Sequence, residues 1–321
     1  MKKIFLLVSI AIMLVLSCGN EGKNSSEAGG GKSKASFKIG ITQIVAHPAL
    51  DSAREGFKDA FKEAGLKVVF DEKNANGEIA TANMIANNFV TEKVDMVYAI
   101  ATSTAQAAAQ STDKIPVVFS AITDPEAAGI LKKNVTGISD RVNVKQQLEL
   151  LLKLDSKIKK VGVIYNSSEQ NSKVQVDDLK KAASELGITI VEKSVTQVSE
   201  IPQASETLVK ESDALYLPTD NLVASVVNLI TEKAIKAKKI AFGAESAHVK
   251  GGALITQGID YYEMGKEAGK IAVDILKNGK SPSEITFKKM DLNDIVINNK
   301  TLAAIGISLP EDIKSKAKTI D

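Results

Sequence analysis

Residues 160–195 read KVGVIYNSSEQNSKVQVDDLKKAASELGITIVEKSV, and along them the apolar period changes from strand to helix and back. Lys160-Val161-Gly162-Val163-Ile164-Tyr165 is a short β-branched run, the mark of a buried strand. Val176, Leu179, Ala183 and Leu186 then recur at steps of three and four, which predicts a helix near 171–186. Gly187 suits its end, and Thr189 to Val195 is a strand again.

The same unit stands earlier in the chain. Lys38-Ile39-Gly40-Ile41-Thr42 reads as a strand, and residues 48–64 as a helix with Leu50, Ala53, Phe57, Ala60, Phe61 and Ala64 on one face. Pro48 suits the first turn and Gly65 the end. Gly40 to Gly65 and Gly162 to Gly187 share a spacing of 25. An aspartate precedes the next strand in both units, in Asp95-Met96-Val97-Tyr98 and Asp213-Ala214-Leu215-Tyr216, and Val117 to Ile122 matches Ile240 to Glu245. Four matched elements in one order indicate an internal repeat. Further strands near 67–71 and 96–101 alternate with helices near 78–92 and 103–111. Such alternation implies parallel sheets covered by helices on both faces.

The expected fold is therefore α/β: two similar doubly wound lobes, joined by hinge strands around a ligand cleft. After the second unit, Met264, Ala268, Ile271, Ala272 and Ile275 mark a helix over 260–278, and more elements follow to 321. Lobe one is expected to take residues 37–141, about 258–279 and 295–321; lobe two takes 142–257 and about 280–294. The first crossing, near Ile138 to Asn143, follows from the repeat; others are placed near 257 and 280–294.

Residues before the first strand read differently. Met1-Lys2-Lys3 is basic, Ile4 to Leu16 is nearly all apolar, and Ser17-Cys18 follows. That is the layout of a signal peptide over 1–17, too short for the ~20 residues that span a bilayer. Cys18 is the only cysteine in the 321 residues. Residues 18–36, rich in Gly, Ser, Lys and Glu, read as a tether. Gly29-Gly30-Gly31-Lys32-Ser33 is only superficially like a phosphate loop, since Ser26 stands where its first glycine belongs and no strand precedes it. Loss of residues 1–17 takes Lys2 and Lys3 from the 41 basic residues and nothing from the 39 acidic ones, so the signs balance. A nucleic-acid partner is not expected of such a chain.

In open parallel sheets, ligands bind beyond the carboxyl ends of the strands. In lobe one those loops carry Thr42, Gln43, Thr102, Ser103, Thr104, Ser120 and Thr123. Lobe two offers Asn166, Glu169, Asn171, Thr219, Asp220, Asn221 and Glu245. Hydroxyls and helix N-termini suit a carboxylate, and the acids of the other lobe suit an ammonium group. Together they point to a zwitterion such as an amino acid, although capping alone explains Ser, Thr, Asp and Asn at helix starts. Asp220 is assigned to the ammonium, with Glu169, Glu245 or Asp260 as helpers; Ser103, Ser120 and Thr123 are assigned to the carboxylate. The side chain of such a ligand would lie near Gln43, His47 and the aromatic residues Phe119, Tyr165 and Tyr261. The two histidines are read as a helix cap or rim residue (His47) and an exposed residue (His248). No catalytic motif is present, so no enzyme, cofactor or metal is expected.

Several stretches taken together resemble a known family. They are Gly40-Ile41-Thr42-Gln43 with His47-Pro48-Ala49-Leu50-Asp51; Phe119 to Pro125 with Gly129; Asn134 to Asp140; Tyr165 to Ser172; Pro218-Thr219-Asp220-Asn221; and Gly251 to Leu254 with Gly258-Ile259-Asp260-Tyr261. As a set they resemble the type I periplasmic-binding-protein group of ABC transporter substrate-binding proteins, in its tryptophan/tyrosine branch. Val15-Leu16-Ser17-Cys18 resembles a bacterial lipobox. These likenesses imply cleavage before Cys18, its acylation and a membrane anchor, and a monomeric receptor outside the cytoplasm. They also imply an aromatic amino acid closed between the lobes and delivered to an ABC permease. A nucleoside or sugar receptor of the same fold, or a sensory binding protein, is the alternative.

Overall fold

The structure, a computed structural model, describes residues 36–291 and 294–321. Cys18, the signal segment and the tether up to residue 35 lie outside the described residues. The first unit runs β1 (Phe37–Gln43), α1 (Pro48–Glu63), β2 (Val68–Asn74), α2 (Ile79–Thr91), β3 (Met96–Ile100), α3 (Thr102–Ser111), β4 (Val117–Ile122) and β5 (Val135–Ser139). The second runs α4 (Val144–Leu154), β6 (Lys160–Asn166), α5 (Gln170–Glu185), β7 (Thr189–Val195), α6 (Ile201–Glu211), β8 (Ala214–Leu217), α7 (Asn221–Ser225), α8 (Val227–Lys236), β9 (Ile240–Gly243), α9 (Ser246–Lys250) and β10 (Ile255–Gly258). Then come α10 (Tyr261–Asn278), β11 (Lys288–Lys289), β12 (Asp294–Asn298), α11 (Asn299–Ile305), α12 (Glu311–Lys314) and β13 (Lys318–Ile320).

The strands form two sheets. The first has six strands in the order β11-β5-β4-β3-β1-β2, all parallel. The second has seven, β13-β12-β10-β9-β8-β6-β7, parallel except for the antiparallel pair β10–β12. β1 lies between β2 and β3 as β6 lies between β7 and β8, so the sequence repeat is a repeat of topology. Its glycines have matched physical duties. A side chain at Gly40 would strike the Phe89 ring of α2 at 2.6 Å, and one at Gly162 would meet Leu208 of α6 at 3.2 Å and Ser212 Oγ at 2.7 Å. Gly65 and Gly187 end their helices at φ 65° and 69°, in the left-handed region that glycine enters without penalty. β3, β4 and β5 are buried along their whole length; β3 accordingly reads as a continuous apolar run, while Ser120 of β4 and Thr136 and Ser139 of β5 are buried with their hydroxyls hydrogen-bonded.

The chain crosses between the sheets after β5, after β10, and between β11 and β12. α10 belongs with lobe one, where Tyr262 donates to Asp59 at 2.9 Å and Lys266 pairs with Glu63 of α1 at 2.7 Å. The rest of the tail departs from the expected division. Residues 280–294 do not join lobe two as a block: β11 pairs with β5 in the first sheet, and Thr136 Oγ1 donates to the Ile285 carbonyl at 2.8 Å. Residues 295–321 do not return to lobe one. β12 pairs with β10, β13 with β12, and Asn298 and Thr301 bond to the Val249 and Gly252 carbonyls at 3.0 Å each. The reason is continuity: from the end of α10 the chain runs straight along the open edge of β5, so one crossing replaces two. Among the described residues no helix is long and apolar enough to cross a membrane.

Candidate ligand cleft

The carboxyl ends of the two sheets face each other, and side chains meet across the gap. Gln106 of α3 donates to Gln170 Oε1 at the start of α5 at 3.1 Å, and Gln170 reaches back to the Ala127 carbonyl. His47 Nε2 lies 3.4 Å from Asn221 Oδ1, and the Thr123 and Thr219 hydroxyls are 3.5 Å apart. At the hinge, Arg141 pairs with Asp124 of lobe one at 2.6 Å and with Asp178 of lobe two at 2.9 Å. The lobes are closed.

Closure leaves an inner chamber of about 10 Å³, room for one water-sized group. His47, Asn171, Thr219, Asp220, Asn221 and Glu245 line it, together with Leu50, Ala121, Asp140, Ala224 and Tyr261. Asp140, Asp220 and Glu245 are all buried, and among the described residues no lysine or arginine lines the chamber.

Each acid is placed by its local chain. Asp220 caps α7 by accepting the Val223 N–H at 2.8 Å, and its other oxygen accepts the Asn166 N–H at 2.5 Å and the Ser172 hydroxyl at 2.7 Å. Burial, with Glu169 nearby as the second cause, pushes Asp220 up to about 7. Glu245 caps α9 through Oε2, which accepts the Ala247 N–H at 2.8 Å, while Oε1 is buried with no hydrogen-bond partner. Burial pushes it too up to about 7. Asp140, at the first crossing, accepts from the Tyr261 hydroxyl at 2.7 Å and from Thr123 at 3.1 Å, and burial raises it against those bonds.

His248 does not neutralise this cluster. It is buried rather than exposed as expected from sequence, because α9 turns it under Gly243. Its Nε2 lies 3.3 Å from Glu245 Oε1, yet burial pushes the ring down to about 3, so it is uncharged at neutral pH. His47 is also buried, with its pKa lowered by that burial; it makes no side-chain cap bond to α1.

Of the residues singled out from sequence, Ser103, Asn166, Glu169 and Asn221 line a second, outer cavity nearer the surface. Glu169 is tied up there, accepting from Asn166, Asn171, the Asn221 side chain and the backbone N–H groups of Asn221 and Leu222. Seven others line neither cavity, among them Thr104, whose hydroxyl donates to the Ile100 carbonyl at 2.7 Å. Ser120 is turned inward to the Tyr98 hydroxyl at 2.6 Å. Gln43 is spent on Val45, Asp51 and Arg54. Thr42 and Thr102 are buried with unpartnered hydroxyls, and Thr123 serves Asp140. Asp260 is exposed and caps α10 on a different face of the hinge. Phe119 and Tyr165 also lie away from both cavities, Phe119 against Phe287 and Tyr165 toward Glu192. Only Tyr261 of the three aromatic residues reaches the chamber. Asp140 went unassigned from sequence; its signal was an acid directly after a strand at the predicted crossing.

Two lobes closed on a small, polar, acidic chamber define a solute-binding protein of the two-lobed periplasmic type. A family model described as ABC transporter substrate binding protein matches residues 38–320, and the chain belongs to that family. It is 40% identical over 319 residues to a tyrosine-binding protein of Clostridioides difficile, covering 95% of this chain and 92% of that one. Among solved structures it is similar to an ABC domain from Streptococcus pneumonia in complex with L-Trp, with TM-score 0.85, 33% identity, and coverage of 89% of this chain and all of that one. It is also similar to the ligand-free, open structure of a substrate-binding protein with adhesive properties from Clostridium difficile. There the TM-score is 0.68 at 43% identity, over 89% and 99% of the two chains. The higher identity with the lower structural score fits a difference in lobe placement, since the lobes here touch.

Proposed function

We propose that this chain is the extracytoplasmic receptor of an ABC importer, that its cleft takes an aromatic α-amino acid, and that lipid on Cys18 holds it to the membrane. The inner chamber carries the reading. A buried carboxylate without a cation is costly, and here three surround a space the size of an ammonium group. Among the described residues no group of His, Cys, Asp and Glu is set to hold a metal ion. The complementary end is α3, whose N-terminus has no side-chain cap, with Ser103 facing the outer cavity and the Thr102 hydroxyl buried and unpartnered beside it. A ligand carboxylate suits such a helix end. The aromatic class is supported by the tyrosine-binding relative and by the relative complexed with L-Trp. The protein acts by capture and release, with no chemical step.

Calorimetry with tryptophan, phenylalanine and tyrosine beside tryptamine, phenethylamine and tyramine tests both ends. The amino acids are expected to bind and the amines to bind at least about tenfold more weakly, since a hydrogen bond to a charged group contributes roughly 1.5–3 kcal/mol. Equal affinity for amine and amino acid would remove the carboxylate assignment. Binding of a sugar or nucleoside, with none of an amino acid, would remove the whole ligand class. For the anchor, Cys18→Ser is expected to move the protein from the membrane fraction to the soluble one. A variant that stays membrane-bound at full length would contradict lipidation there.

A further inference from the structure

On the other side of Asn221 from the acidic chamber lies the second cavity, of about 150 Å³. Its apolar wall comes from both lobes: Ile44, Val45 and Ile79 on one side, Val198 and Leu222 on the other. Asn221 lines both cavities, so the two spaces adjoin. Ile79 and Val198 are 52% and 41% exposed, large apolar side chains facing solvent at the mouth of a cleft. Among the described residues no aromatic side chain lines this wall.

We propose that the outer cavity is the subsite for the ligand's side chain, and that Ile79, Val198 and Leu222 decide which side chains are accepted. The inference rests on the amino-acid reading above. An ammonium group seated in a chamber that holds one water places the Cα about 1.5 Å away, so the side chain must continue toward the space that Asn221 shares. That space is the larger by far, and beside Ser103, where the carboxylate is placed, it carries five apolar side chains from the two lobes, whereas three buried acids line the chamber. Because its walls belong to different lobes, a ring is gripped only on closure, which couples side-chain selection to the hinge motion. The exposed rim leaves the far end of the ring facing solvent, so a para substituent passes between Ile79 and Val198 without displacing either.

Calorimetry on the full chain tests this with phenylalanine, tyrosine and O-methyltyrosine as probes. O-methyltyrosine is expected to bind within about threefold of tyrosine. Ile79→Asn and Val198→Asn, at exposed positions that thermal melts will show to be tolerated, are expected to weaken phenylalanine about three- to tenfold each, through lost apolar contact. Leu222→Ala should do the same. Rejection of O-methyltyrosine with tyrosine still bound, or full-strength phenylalanine binding by both rim variants, would overturn the subsite. If none of phenylalanine, tyrosine and tryptophan binds the unaltered protein, the amino-acid reading itself has failed and the subsite falls with it.

Discussion

Glu245→Gln is expected to lower amino-acid affinity by roughly 10- to 100-fold while leaving the unligated protein at least as stable as before. The substitution keeps the shape of the side chain and keeps an oxygen for the Ala247 N–H that Oε2 now accepts. It removes the charge on Oε1, the buried oxygen without a partner. A hydrogen bond between charged groups contributes about 1.5–3 kcal/mol, and 1.4 kcal/mol is tenfold. Stability moves the other way because an uncompensated buried charge is costly, and the amide carries none. Asp220→Asn is a less clean probe. Asp220 already accepts three protein donors, and an amide nitrogen in place of one oxygen would face a donor that it cannot accept. That variant is expected to lose affinity and stability together. Calorimetry and thermal melts on both variants separate the cases. Full-strength binding by a folded Glu245→Gln would show that this carboxylate does not hold the ligand.

What could be read from the sequence follows from what repeats and what does not. The period change at 160–195, and its echo at 37–71, marks strands and helices because β1 and β6 are mostly buried and largely apolar, while the helices after them bury one face at steps of three and four. The Gly65 and Gly187 ends follow from helix geometry. Asp220 and Glu245 were legible as acids at strand ends, where a parallel sheet puts its ligand loops. The tail was not legible in this way. β11 is two exposed lysines, and the Asp294–Asn298 strand fits the edge of either sheet, so only the path of the chain decides its partner. The hydroxyl assignments ran into a similar limit. Ser120 and Thr123 stand in the right loops, but a serine at a strand end points into the lobe as readily as out of it, and here Tyr98 and Asp140 claim them. His248 shows the same thing for burial: five residues of short helix carry too little pattern to reveal which face is covered.

Affinity is expected to fall as pH drops from 7.5 to 5.5, by up to about tenfold per pH unit for each carboxylate that must lose its proton. The sign follows from where Asp220 and Glu245 stand without ligand, both pushed up to about 7 by burial, with Glu169 adding to Asp220. Near pH 7.5 they are largely ionised and ready for a cation. Below 7 they take up protons, and an ammonium group can enter only by displacing them. The ligand does not cause the trend, because its amine stays protonated below about pH 8 and its carboxylate ionised above about pH 4. The stability of the unligated fold is expected to follow the opposite slope. Its raised carboxylates bind more protons than the unfolded chain between about pH 4 and 7, so that contribution to stability is fully present at the acid end and is lost as pH rises through 7. Glu169 stands beside Asp220, and Asp140 and Lys250 act on Glu245, so the steps are shared rather than owned by single residues. Calorimetry at pH 6 in two buffers of different ionisation heat should register between about one and two protons released per ligand bound, and Glu245→Gln should reduce that release. An affinity unchanged from pH 7.5 to 5.5, with no proton released, would mean that the chamber's carboxylates are not what the ligand's ammonium meets.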